Sequence, residues 1–176
     1  MLIQPRKALN KAFLKIKPNR TGIELFKQNL ILLLDSSKEK ESEEFHKNLI
    51  SDFLKNTYYS PNHFINTKGR NDLVIHVGKD AKSNVGVIIE AKSPSNKAEM
   101  ISQKSLNSKA LQELVLYFLR ERILHKNLEI KHLVATNLNE WFLFDAQLFD
   151  KLFAQNKVFV KQFQDFQEGK LSGSNT

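Results

Sequence analysis

The chain contains no cysteine. That absence excludes disulfides, thiolate-held zinc and cysteine nucleophiles together. No apolar run approaches the ~20 residues that a membrane-spanning helix needs. The longest, such as Leu30 to Leu34, stop far short. The N-terminus lacks the apolar stretch and small-residue cleavage site of a secretory leader, so a cytoplasmic location is expected. No Walker-type phosphate loop and no G-x-S-x-G nucleophile elbow occurs. What is present suits a folded domain: 176 residues, 41% apolar and 26% charged, enough chain for one sizeable core.

Lys and Arg number 27 against 19 acidic residues, a formal net charge of +8. A basic balance of this kind suits a polyanionic partner. The excess is mostly Lys, in a chain also rich in Asn, Phe, Leu and Ile, and an AT-rich coding sequence produces the same bias with no ligand involved. The first twenty residues hold six cations, Arg6, Lys7, Lys11, Lys15, Lys17 and Arg20, and no acid. Helical spacing groups Leu9, Ala12, Phe13 and Ile16 on one face and Lys7, Lys11 and Lys15 on another. The expectation is a short helix from Pro5 to Pro18 docked on the domain. A DNA-contacting arm comes second and a membrane-surface helix third.

Thr21 with Glu24 forms a capping-box pattern at the start of a second helix through Leu25, Leu30 and Leu34. A charged stretch, Ser37 to Glu44, leads into a third helix with Phe45, Leu49, Ile50, Phe53 and Leu54 on its apolar face. Residues 56–70 read as loop around a short strand near His63 to Asn66. Leu73 to Val77 and Val85 to Ile89 are β-type runs joined by the polar connection Gly78 to Asn84. Ser93 to Ser105 is polar and irregular. Ser108 to Leu124 reads as a largely buried helix. His132 to Thr136 and Trp141 to Phe144 read as strands around an Asn137-Leu138-Asn139 turn. Gln147 to Gln167 is helical with a Phe-rich face. This order predicts an α/β (α+β) domain, a mixed sheet with helices packed against it. The expected division is a helical segment 1–36, a main domain 37–168 and a polar tail 169–176.

One constellation carries chemistry. Asp72 opens the first β-run, and Glu90 and Lys92 close the second. Strand side chains alternate with period two, so Glu90 and Lys92 face one way and Ala91 the other. An acid two residues before a Lys occurs four times: Asp80/Lys82, Glu90/Lys92, Glu129/Lys131 and Glu168/Lys170. Only Glu90 and Lys92 terminate an apolar strand of Val and Ile, where charge is costly unless paired or used. The alternative is an ordinary Glu–Lys rung at a strand end. Antiparallel pairing of the two runs would bring Asp72 beside Glu90. Two carboxylates and a Lys on neighbouring strands make a minimal site for metal-assisted phosphodiester hydrolysis, because Mg²⁺ takes only one or two ligands from protein carboxylates. The five His residues show no metal-ligand spacing, and His76 is expected to pack or hydrogen-bond locally.

Asn71-Asp72, seventeen intervening residues and Glu90-Ala91-Lys92 resemble the PD-(D/E)xK nuclease superfamily. The wider phrases Lys68-Gly69-Arg70-Asn71-Asp72-Leu73-Val74-Ile75 and Ile88-Ile89-Glu90-Ala91-Lys92-Ser93-Pro94 are similar to the N-terminal nuclease region of type IIG restriction enzymes. So are the Leu111 to Arg122 helix and the strands at Thr136-Asn137 and Trp141 to Asp145. The resemblance spans roughly Glu43 to Phe149. Asn71 stands where the family name has Pro. The resemblance implies a restriction-endonuclease-like sheet and Mg²⁺ held by Asp72, Glu90 and the Ala91 carbonyl, with Lys92 assisting the attacking water. It further implies an acid on the preceding helix, here Glu44 with Glu43 and Glu41 next, and Gln112 pointing into the site.

The implied activity is Mg²⁺-dependent cleavage of double-stranded DNA in restriction. The implied partners are DNA and a methyltransferase or specificity module in cis or trans, with a homodimer left open. No Asn-Pro-Pro-Tyr motif or glycine-rich cofactor loop of such a methyltransferase occurs. The polar ending reads as a domain boundary, so the expectation is a truncated or separately encoded cleavage module. The alternative is a non-catalytic DNA-binding or scaffolding remnant. A third reading keeps the fold as an RNA-directed or repair nuclease.

Overall fold

The computed structural model describes residues 3–69 and 71–170, with Asn71 and Asp72 described by backbone alone. The Asp72 side chain, Arg70 and most of the expected tail, residues 171–176, therefore lie outside the described residues.

Five strands form one sheet in the order β1-β2-β3-β4-β5. They are β1 Ile65–Lys68, β2 Asn71–His76, β3 Val85–Ala91, β4 His132–Thr136 and β5 Trp141–Asp145. Neighbours pair antiparallel except β3 and β4, which are parallel. Parallel pairing needs a long crossover, and the helix α4, Lys109–Leu119, lies in it. The other α-helices among the described residues are α1 Pro5–Ala8, α2 Arg20–Ser36, α3 Glu43–Leu54, α5 Ala146–Phe149 and α6 Lys157–Gln167. The chain is 47% helix and 15% strand, an α+β fold with a mixed sheet and flanking helices.

The central strands are apolar on both faces because helices cover both. Leu73, Ile75, Ile89, Ala91 and Val134 pack with Leu33 of α2 and with Ile50 and Leu54 of α3. Val74, Ile88, Leu133 and Ala135 pack with Ala110, Leu114 and Phe118 of α4 and Phe149 of α5. Successive residues of β2 and β3 thus alternate between two cores, as the pleat requires. Leu33 joins the core from a segment that the expected division sets apart from the main domain.

Several local expectations change. The N-terminal segment does not form one helix. It makes only α1 and a 3-10 turn, Phe13–Lys15, and residues 3–20 are all exposed, so it does not dock. Between the two pieces Leu9 is extended and the Asn10 side chain accepts a hydrogen bond from the Ala12 amide at 2.9 Å. Such local bonding by Asn competes with helical pairing. The cap of α2 is Asn19, whose Oδ1 accepts from the Gly22 amide at 2.7 Å; Thr21 lies inside the helix. The expected strand at His63–Asn66 begins two residues later, at Ile65. The helix from Ser108 ends at Leu119 and continues as a π-helical turn, Arg120–Leu124. The polar segment 93–105 is irregular, as expected, and is anchored by buried Met100 and Ile101 in the core beneath α4.

Candidate functional site

β3 delivers Glu90 and then, just past its end, Lys92 to the face covered by α4. Both are buried, with side chains 1% and 4% exposed, and they meet at 2.5 Å between Lys92 Nζ and Glu90 Oε1. Their expected common orientation is thus realised, while Ala91 points into the opposite core. Parallel pairing runs Glu90 against Ala135 and Ala91 against Thr136, and the Lys92 amide donates to the Thr136 carbonyl at 2.8 Å. The backbone of the strand end is therefore held by β4 as far as Lys92.

Two helices complete the cluster. Glu113 of α4 places Oε2 2.7 Å from Lys92 Nζ. Glu43, in the first turn of α3, places Oε1 3.7 Å from the same nitrogen. The Ser42 hydroxyl caps α3 by accepting from the Phe45 amide at 3.1 Å. The buried ring of His46 contacts the carbonyls of Ser42 and Lys38, each at 2.9 Å, and so pins the turn from which Glu43 projects. Beside the cluster, Lys109 donates to Glu99 at 3.0 Å, and that bond holds the Glu99 carboxyl below its ordinary range. Burial by itself would push the Lys92 ammonium down; the charges of Glu90 and Glu113 and their hydrogen bonds outweigh it and hold the group above the ordinary lysine range. Lys92 is accordingly an ammonium, suited to orienting an anion or water and unsuited to acting as a free base.

The β2–β3 register pairs Leu73 with Ile89 and Val74 with Ile88. Continued by one residue, it sets position 72 against position 90. Directly opposed residues of an antiparallel pair share a face. The expected meeting of Asp72 with Glu90 falls on a side chain outside the described residues.

Two expected site residues are not brought to the cluster. Glu44 is exposed and pairs with Lys47 one turn along α3, and it is the neighbouring Glu43 that reaches Lys92. Gln112 is exposed, and its amide donates to Asn107 Oδ1 at 3.1 Å. Glu113 occupies the inward position instead. Both corrections have one cause: consecutive helical residues point about 100° apart, so only one of two neighbours can face the sheet. A signal for Glu113 was present in the sequence. It falls three residues after Ala110 and four before Tyr117, inside the stripe that α4 buries. An acid in an apolar stripe is costly unless partnered.

His76 behaves as an ordinary buried histidine, its ring in contact with the Ser83 carbonyl at 2.6 Å and the Asn66 side chain at 2.9 Å. A cavity of about 420 Å³ opens elsewhere, lined by Phe118, Arg122, Asp150 and Gln155 among others. Its charged groups close on each other through an Arg122–Asp150 bond of 2.6 Å, so it offers no comparable chemistry.

The fold and cluster define an α+β protein with a charged strand end gripped between two helices. The chain belongs to a family described as a domain of unknown function (DUF7149), which matches residues 3–176. No curated protein and no solved structure matches it. Among the described residues no helix is long and apolar enough to cross a membrane.

Proposed function

We propose that this chain is a metal-dependent endonuclease domain that hydrolyses phosphodiester bonds of double-stranded DNA, in the manner of the PD-(D/E)xK nucleases. The restriction context of the type IIG enzymes is part of the same reading. One observation carries it: Glu90 and Lys92 leave a single strand end and lie buried within 2.5 Å of each other.

The donor chemistry fits Mg²⁺. Carboxylate oxygens are the hard ligands it takes, and one or two from the protein suffice. Among the described residues no group of three or more His, Asp or Glu is placed to hold a metal ion. Glu90 and Asp72 would hold it, with the Ala91 carbonyl. Such an ion supplies Lewis-acid polarisation of the phosphate and hydroxide near neutral pH. Lys92 would place its ammonium against the attacking water and the charge that builds on phosphorus. Glu90 and Glu113 keep that ammonium charged.

The alternative, a non-catalytic remnant that keeps the fold, draws support from the same ammonium. Three carboxylates surround Lys92, and a purely structural ion network has that form. Plasmid nicking with Mg²⁺ separates the readings, comparing wild type with Asp72→Asn and Lys92→Met after circular dichroism has checked their folding. Mg²⁺-dependent nicking lost in both variants supports the nuclease. DNA binding retained by all three proteins, with no cutting at any concentration, supports the remnant.

A further inference from the structure

The distribution of charge singles out residues 3–20. They hold six of the 27 cations and none of the 19 acids. The remaining 21 cations nearly balance those 19 acids, so the net charge of the folded body is close to neutral. Most of the formal +8 thus resides in one segment, and every residue of that segment is exposed.

We infer that residues 3–20 form an arm that binds the phosphate backbone of a DNA duplex. The inference rests on the nuclease reading for the identity of the polyanion. The shape of the arm favours a nucleic acid over a lipid surface. A membrane-surface helix needs one continuous apolar face opposite a basic one. Here Leu9 and Ile16 are extended and only α1 and a three-residue 3-10 turn are helical, so no such face is assembled. Cations spaced along an exposed segment of short helical pieces and irregular links can instead contact successive phosphates, and such contacts position a protein without reading sequence. Arg6, Lys7, Lys11, Lys15 and Lys17 all lie on this stretch, and Arg20 begins α2. Because the folded body is nearly neutral, it adds little to long-range attraction, and the arm carries the salt-dependent part of binding.

The test measures anisotropy of a short fluorescein-labelled duplex in EDTA across a series of KCl concentrations. It uses the full chain, the triple variant Lys7→Gln/Lys11→Gln/Lys15→Gln, and a charge-matched control at exposed lysines outside the segment and the site, Lys151→Gln/Lys157→Gln/Lys161→Gln. Each neutralised phosphate contact flattens the dependence of log K on log salt by about 0.9. The Lys7/Lys11/Lys15 variant is expected to flatten it by about 2 to 3 and to bind more weakly at low salt, while the Lys151/Lys157/Lys161 control keeps the wild-type slope. An unchanged slope in the triple variant overturns the arm. So does absence of duplex binding by wild type, including the case in which the wild type sediments with phosphatidylserine vesicles instead. Failure of the nuclease reading remains distinguishable: arm-dependent binding without Mg²⁺-dependent nicking leaves the arm standing and removes the catalysis.

Discussion

The helix α4 and its π-helical extension place an acid at each of two buried ionic sites, and the two sites differ in kind. Glu121, 3% exposed, meets Lys68 at 2.7 Å, and Lys68 remains about one-third exposed. Asn127 braces this pair, donating to the Val85 carbonyl at 2.9 Å and to Glu121 at 3.3 Å. One carboxylate, one ammonium and one amide lock the end of the helix to the start of β3. At the other site Lys92 is buried and shared by Glu90, Glu113 and Glu43, which come from β3, α4 and α3. The first arrangement fastens the helix extension to β1 and β3 through a single carboxylate. The second gathers side chains from three elements around one atom, as a reactive or ion-binding centre requires.

Removing Lys92 should separate the sites most sharply. Lys92→Met leaves the buried Glu90 carboxylate without that ammonium, and breaking a buried ion pair costs about 3–5 kcal/mol. Urea unfolding should show a fall of that order, with nicking abolished. A loss under ~1 kcal/mol would mean that the cluster is well hydrated in solution. Its pH dependence has a definite sign. The folded-state value of Lys92 is raised, so its stabilisation is complete below the ordinary lysine range of about 10.4 and is lost only as pH climbs through the higher folded-state value. Wild-type stability, but not that of Lys92→Met, should therefore carry this contribution across neutral pH unchanged.

Glu121→Gln should cost less, about 1–2 kcal/mol, because Lys68 can turn to water while a buried bond is weakened. Nicking per folded molecule should not change, and a loss of nicking at full folding would erase the distinction between the sites. Mg²⁺ tests the distinction from the opposite side. An ion present at about ten times its Kd stabilises by about 1.4 kcal/mol, so Mg²⁺ should raise the Tm of wild type and of Glu121→Gln. The Glu90→Gln/Glu113→Gln protein should show no such shift. The smallest effect is expected in the arm, where Lys7→Gln/Lys11→Gln/Lys15→Gln should leave stability within about 0.5 kcal/mol while weakening DNA binding.

The legible features were those with strong local causes. The Val- and Ile-rich runs of β2 and β3 announce a buried hairpin, and period-two alternation puts Glu90 and Lys92 together without reference to any other element. The Asn137–Asn139 turn was legible too: the Leu138 amide donates to Thr136 Oγ1 at 3.0 Å and the Glu140 amide to Asn137 Oδ1 at 2.8 Å. The misread helix start at Thr21 shows the limit of local reading, because Asn19 and Thr21 are both good caps and their positions differ by half a turn. The same limit applies to Glu44 and Gln112. Each lies one residue from the acid that faces Lys92, and a rotation of 100° decides between neighbours.

By itself, the order of residues determined the strands, the shared face of Glu90 and Lys92, and the concentration of charge at the N-terminus. Each follows from backbone periodicity or from composition, which need no distant partner. Tertiary structure alone decided that Glu113 and Glu43 would close around Lys92 and that the basic segment would stay off the domain. Those outcomes depend on how α3 and α4 pack over the sheet, and packing is a property of contacts between residues far apart in the chain.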